Sequence, residues 1–239
     1  MPADLAARLA AVRERIAGAA ARAGRRAGDI TLVGVSKRQS AEAVAELVAA
    51  GLAHCGESFV QEAREKLPRV AALLGAGTRA PRWHFIGRLQ SNKAKLAAEL
   101  FDVVEGVDRV ELARALDAHA VAAGRTLEVL LQVNVSGEAQ KGGAAPEALA
   151  GLARAVAAMP RLRLTGLMAI PEATERPEQA RPAFARLREL RDALCRPAGG
   201  LTLPELSMGM SADFEIAIEE GATIVRVGTA LFGARGGRA

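Results

Sequence analysis

Apolar residues follow two alternating rhythms along this chain. Short, nearly unbroken apolar runs are separated by longer stretches in which apolar positions return every three or four residues. The runs predict strands buried on both faces, and the stretches predict amphipathic helices. The strand candidates are Ile30–Lys37, Ala53–Ser58, Arg82–Gly87, Asp102–Val107, Leu127–Val135, Leu162–Ile170, Glu205–Met208 and Thr223–Gly228. A helix over residues 2–24, with Leu5, Leu9, Val12 and Ile16 on one face, precedes the first. Ser40 is placed to cap a helix that stops at Gly51, and Ser91 to cap the one holding Lys93 and Lys95. Further helices are predicted from about Phe59 to Leu74, up to Ala123, from near Pro146, up to about Cys195, and over Asp213–Glu220, with a turn at Gly75–Pro81.

Strict alternation predicts parallel strands, because each crossover needs a helix. Eight such units fit a (β/α)8 TIM barrel with one extra N-terminal helix, forming a single domain over residues 1–239. A doubly wound open sheet is the alternative. It usually carries a glycine-rich turn after its first strand, whereas SKRQS follows here.

The chain has 239 residues, 50% of them hydrophobic and 25% charged, an ordinary globular composition. No apolar run approaches the roughly 20 residues that span a bilayer, and no signal-peptide pattern opens the chain, so no membrane is expected and a cytoplasmic location is. Cys55 and Cys195 have no metal-like spacing and give no disulfide framework. The net charge is +5, but the arginines lie beside Glu and Asp on helical segments, and aromatics make up 3% with no Tyr. Both features argue against a nucleic-acid surface.

A barrel gathers the carboxyl ends of its strands at one mouth. Those ends carry Lys37, Glu57, Ser58, His84, Asn134, Met168, Ser207 and Arg226. A lysine in apolar surroundings at a strand end retains some neutral amine to attack a carbonyl, although a lysine that merely snorkels to solvent is the commoner case. Strand 7 runs into Ser207-Met208-Gly209-Met210-Ser211 and strand 8 into Arg226-Val227-Gly228-Thr229. Loops after these two strands often bind phosphate, with glycines admitting backbone N–H groups and hydroxyls donating. A Schiff-base lysine facing a phosphate site suggests pyridoxal 5′-phosphate (PLP). Arg226 would then reach the pyridine nitrogen, and a permanently charged arginine there favours the unprotonated, weakly electron-withdrawing ring.

The blocks LVGVSK (32–37), GESFVQEAREKL (56–67), WHFIGRLQSNK (83–93), LLQVNVSGE (130–138), GLMAIP (166–171) and the run 206–233 stand in this order. In them the chain resembles the pyridoxal phosphate homeostasis proteins of the YggS/PROSC type, small relatives of the alanine racemase barrel. The resemblance implies that Lys37 forms the internal aldimine and that Arg226 meets the pyridine nitrogen. It implies that Ser207, Ser211, Gly228 and Thr229 hold the phosphate and puts Ser58 near the cofactor; His84 and Met168, at their strand ends, are expected beside the same site. Ser58 and Phe59 stand where the family usually has Asn and Tyr, and the loop Glu138–Gly143 varies while Lys141 is kept. The implied role is non-catalytic: buffering PLP and delivering it to PLP-dependent apo-enzymes. Separately, a monomer is expected.

A PLP-dependent amino-acid racemase is the enzymatic rival. It typically opposes the lysine with a tyrosine from a second domain; this chain has no Tyr, and no residues are left after the eighth unit for such a domain. His84 or Cys55 would have to serve instead, and His84 reads better as packed or ring-contacting. A Schiff-base aldolase, the other rival, usually carries its lysine on a later strand. Lys93, Lys95 and Lys141 read as solvated lysines, with transient capture of PLP as the alternative. The loop Glu172–Gln179, rich in Glu and Pro, could move over the mouth or be merely disordered.

Overall fold

The computed structural model describes residues 5–137, 142–172, 175–196 and 200–233. Eight strands, β1 (Thr31–Val35), β2 (His54–Glu57), β3 (Arg82–Phe85), β4 (Val103–Val107), β5 (Leu127–Gln132), β6 (Leu162–Met168), β7 (Glu205–Ser207) and β8 (Ile224–Val227), close in sequence order into a barrel. Every pairing is parallel, including β1 with β8, where Val33 lies against Arg226. The helices are α1 (Leu5–Arg22), α2 (Ala41–Ala49), α3 (Val60–Leu73), α4 (Ala94–Leu100), α5 (Val110–Ala122), α6 (Leu149–Ala157), α7 (Arg181–Cys195), α8 (Phe214–Glu219) and α9 (Thr229–Phe232).

Two apolar layers follow from the strand period of two. Val33, Val103, Leu130, Met168 and Ile224 form a small cluster inside the barrel. The alternate residues pack outward against the helices in the main core. With Val33 inside, Val35 and Lys37 share its parity and lead to the carboxyl mouth. With Ile224 inside, Arg226 and Gly228 do the same.

Helix α9 is a single turn after β8. The gap it leaves in the outer ring is filled by α1, whose buried Leu5, Leu9, Val12 and Ile16 lie in the core as it packs on α8, α9 and α2.

The strands are shorter than their sequence patterns, mostly at the carboxyl end. β5 stops at Gln132 rather than Val135, because the backbone of Asn134 turns away to Ala144. Ser40 caps α2 as expected, its hydroxyl accepting from the Ala43 N–H at 3.2 Å. Ser91 does not cap: Ser91–Lys93 is a tight 3-10 turn, α4 starts at Ala94, and the Ser91 hydroxyl accepts from Arg109 instead. Pro146 likewise opens a 3-10 turn, and α6 begins at Leu149. Part of the loop Glu138–Gly143, with Lys141, and residues 173–174 of the loop Glu172–Gln179 lie outside the described residues. Within the latter loop, Pro177–Ala180 forms a further 3-10 turn. No described helix is long and apolar enough to cross a membrane.

Candidate functional site

Lys37 follows β1 by two residues and is half-buried. The backbone around it is held from behind. Ser36 is fully buried; the Lys66 ammonium donates to its carbonyl at 2.7 Å, and its hydroxyl donates to Glu57 at 2.7 Å. Lys66 also donates to Glu57 at 2.8 Å and to Glu62 at 2.6 Å. Glu62 in turn accepts the Arg38 N–H at 2.5 Å. Arg38 has φ +61°, a left-handed conformation that only such outside support makes routine for a residue with a Cβ. Three ionic side chains from β2 and α3 thus fix the turn that presents Lys37.

The adjoining wall comes from β8, which pairs with β1, and from β7 beyond it. Arg226, 4% exposed, donates from Nη1 to Ser207 Oγ at 2.6 Å and from Nη2 to the Ala169 carbonyl at 2.8 Å. Burial lowers its pKa, with Glu105 and Asp213 opposing. Gly209 makes the turn after β7 possible: its φ is +90°, and a Cβ there would stand 2.6 Å from that of Ala217. This turn brings Ser211 beside the start of α9, where its hydroxyl oxygen accepts from the N–H groups of Gly228 at 3.2 Å and Ala230 at 3.4 Å.

These walls enclose a pocket of about 300 Å³, at the small end for ligand sites. Of the residues singled out in the sequence, Lys37, Ser211, Arg226, Gly228 and Thr229 line it together, with Gln39 and Met210. Ser207 and Met168 are fully buried outside its lining, and Ser207 bridges Arg226 to Glu105. His84 is buried within the barrel. Ser58 faces a separate concavity of about 920 Å³ with Phe59, Arg88 and Lys93.

Behind Arg226 lies a hydrogen-bonded chain that the sequence pattern did not flag. Ser207 Oγ donates to Glu105 Oε2 at 2.5 Å, Glu105 Oε1 meets His84 Nδ1 at 2.7 Å, and His84 Nε2 meets His54 Nδ1 at 2.9 Å. Burial pushes the Glu105 carboxyl up, but the His84 hydrogen bond, with the charges of His84 and Arg226, outweighs it and leaves the group below its ordinary range. His54, half-buried near the amino end, is pushed down to about 4 by burial and then by its neighbours His84 and Arg82. The one available signal was parity: Glu105 occupies an inward position in the otherwise apolar VVEGV.

Residues 8–236 match the alanine racemase N-terminal domain family. The chain is 51% identical over 231 residues to the pyridoxal phosphate homeostasis protein of Pseudomonas aeruginosa, covering 97% of this chain and 96% of that one. It is 45% identical over 228 residues to the protein of the same name from Aquifex aeolicus, covering 95% and 97%. Among solved structures it resembles PipY of Synechococcus elongatus PCC7942 with PLP bound, at TM-score 0.83 and 36% identity, covering 96% of this chain and 100% of PipY. An alanine racemase of Clostridium difficile 630 shares the fold at TM-score 0.69 and 15% identity; the match covers 95% of this chain and 57% of the racemase.

Proposed function

Because the chain belongs to the pyridoxal phosphate homeostasis proteins within the alanine racemase N-terminal domain family, we propose that its pocket holds PLP and that Lys37 provides the amine that fastens it. The protein would buffer PLP and hand it to PLP-dependent apo-enzymes, without turnover of its own. The observation that carries this function is the convergence of Lys37 from β1 with Arg226, Gly228 and Thr229 from β8 on one small pocket.

The residues fit the group. When bound, PLP supplies an aldehyde that condenses with a primary amine and an electron-poor ring. Lys37 brings the amine on a braced turn. The Ser211 oxygen, accepting two backbone N–H groups, marks where this chain welcomes acceptor oxygens, so Ser211, Gly228 and Thr229 take the phosphate end. Arg226 lines the same pocket and keeps its charge, so it would donate a hydrogen bond to a ring nitrogen and leave that nitrogen without a proton of its own. Carbanion chemistry is thereby disfavoured. A racemase would also need a second base across from Lys37, and among the described residues lining the pocket Lys37 is the one general base.

The test is the visible absorption of the purified protein with added PLP, compared with Lys37→Ala. A lysine-dependent band, borohydride-stable attachment at Lys37 by mass spectrometry, and no α-proton exchange with a panel of amino acids are expected. The same band in Lys37→Ala overturns the attachment site. Exchange at enzymatic rates overturns the carrier role.

A further inference from the structure

We propose that Glu105 is a positioning residue for Arg226, acting through Ser207, and that this buried chain gives the pocket its preference for a ring nitrogen. The inference rests on the placement of Arg226 against that nitrogen under Proposed function.

Donor directions in the chain are dictated by its members. Arg226 can only donate, so Ser207 Oγ accepts from it at 2.6 Å and must turn its own hydrogen to Glu105 Oε2 at 2.5 Å. Glu105 then accepts from Ser207 on one oxygen and meets His84 Nδ1 with the other, accepting there too when it is ionised. A carboxylate held below its ordinary range accepts on both oxygens with no hydrogen to place, which matches an ionised Glu105 facing a charged Arg226.

Glu105 Oε2 also lies 3.8 Å from Arg226 Nη1, a buried counter-charge. Two guanidinium N–H bonds are taken by Ser207 and the Ala169 carbonyl. They fix the plane of the group and leave its other N–H bonds for the pocket that Arg226 lines. Asp213, the other carboxyl acting on Arg226, is engaged with the Met210 N–H at 2.6 Å. Glu105 is therefore the group that reaches Arg226 through a hydrogen bond as well as by charge. It touches no ligand itself.

Glu105→Gln separates a positioning role from mere packing. Its amide removes the buried counter-charge 3.8 Å from Arg226, and where its N–H faces Ser207, which already donates, it also breaks the bridge that fixes the guanidinium plane. The readout is the ratio of affinities for PLP and for 1-deazapyridoxal phosphate, in which a carbon replaces the ring nitrogen. Wild type should favour PLP about tenfold, the worth of one charge-assisted hydrogen bond. Glu105→Gln should lose most of that ratio while still binding the deaza analogue, and Ser207→Ala, which keeps the carboxylate but removes the bridge, should lose part of it. Equal weakening of both ligands in Glu105→Gln, or an unchanged ratio in Ser207→Ala if Glu105→Gln fails to fold, overturns the positioning role. A wild type that does not discriminate, with Arg226→Met no different, instead overturns the placement of Arg226 and the inference with it.

Discussion

The protein buries two ionic networks of similar size on opposite sides of its barrel wall, and they are built to different standards. Inside, Arg226, Ser207, Glu105, His84 and His54 form a chain in which the carboxylate accepts on both oxygens. Outside, between β2 and α3, Lys66 serves Ser36, Glu57 and Glu62, and Glu57 Oε2 is buried without a hydrogen-bond partner. The ionisation follows. Glu105 lies below the ordinary carboxylate range despite complete burial, whereas burial carries Glu57 above it against the pull of Lys66 and Ser36. The inner network holds a charge for the pocket. The outer one holds a backbone, the turn carrying Lys37, and tolerates an unsatisfied oxygen because only Lys66 and one Glu57 oxygen are needed for that task.

Removing the hub of the outer network should have the largest effect. Lys66→Met leaves Glu57 and Glu62 without their shared cation, at a cost of about 3–5 kcal/mol in urea unfolding at neutral pH. Glu57 then gains still more from protonation, so its folded pKa rises further above its unfolded value. The deficit should therefore be full at neutral pH and shrink as pH falls toward the unfolded carboxylate range. A deficit that grows on acidification would mean that Lys66 does not compensate Glu57.

The same isosteric change made in each network sharpens the contrast. Glu105→Gln removes the carboxylate bridged to Arg226 and leaves Asp213 as the remaining carboxyl acting on it, at a cost of about 3 kcal/mol. Glu57→Gln keeps the oxygen that Ser36 and Lys66 use and relieves a desolvated charge, but sets an amide NH2 where Oε2 has no partner, so it should cost about 1–2 kcal/mol. Comparable losses in parallel denaturation curves would erase the distinction between the two networks.

Acid should find the inner network first. The His54 value falls from 6.5 to about 4 in the folded protein, so the unfolded chain binds that proton more tightly. The stabilisation is present above the unfolded value and is lost as pH drops through the window between about 6.5 and 4. Allowing for the partial exposure of His54, the loss is about 2 kcal/mol. His54→Asn should flatten that window in thermal unfolding. Below it, loss of the Glu105 contribution continues the decline in both proteins, because that carboxyl is also held below its unfolded value.

Much of this was legible in the chain, for physical reasons that also mark the limit. Alternating apolar runs and amphipathic stretches leave parallel closure as the economical solution, and the eight units close as expected. Lys37, Ser211, Arg226, Gly228 and Thr229 were visible because a barrel brings strand ends together whatever their spacing in sequence. Ser207 also stands at a strand end and shares the inward parity, but its hydroxyl is taken up between Arg226 and Glu105, outside the pocket lining. Glu105 and His54 escaped notice because a polar residue at an inward position has meaning only through its partner. Ser207 is 102 residues from Glu105, and no local pattern announces that pair. Nothing in the sequence sets Lys66 apart from the other charged residues of its helix; α3 lays it, 7% exposed, over the end of β1.

The smallest effect concerns Arg38 and tests what the outer network supports. Its left-handed φ of +61° costs an ordinary residue about 1 kcal/mol. Glycine would remove that strain, but it also widens the unfolded ensemble by an amount of the same order. Arg38→Gly should therefore stay within about 1 kcal/mol of wild type, since Glu62 binds the backbone N–H that glycine retains. Glu62→Ala removes the acceptor itself and should both destabilise more and slow attachment of PLP at Lys37, read from the growth of the visible band. If Arg38→Gly slows attachment as much as Glu62→Ala does, the Arg38 side chain, 5.9 Å from the Phe59 ring, is what steadies the turn, and the backbone role of the outer network fails.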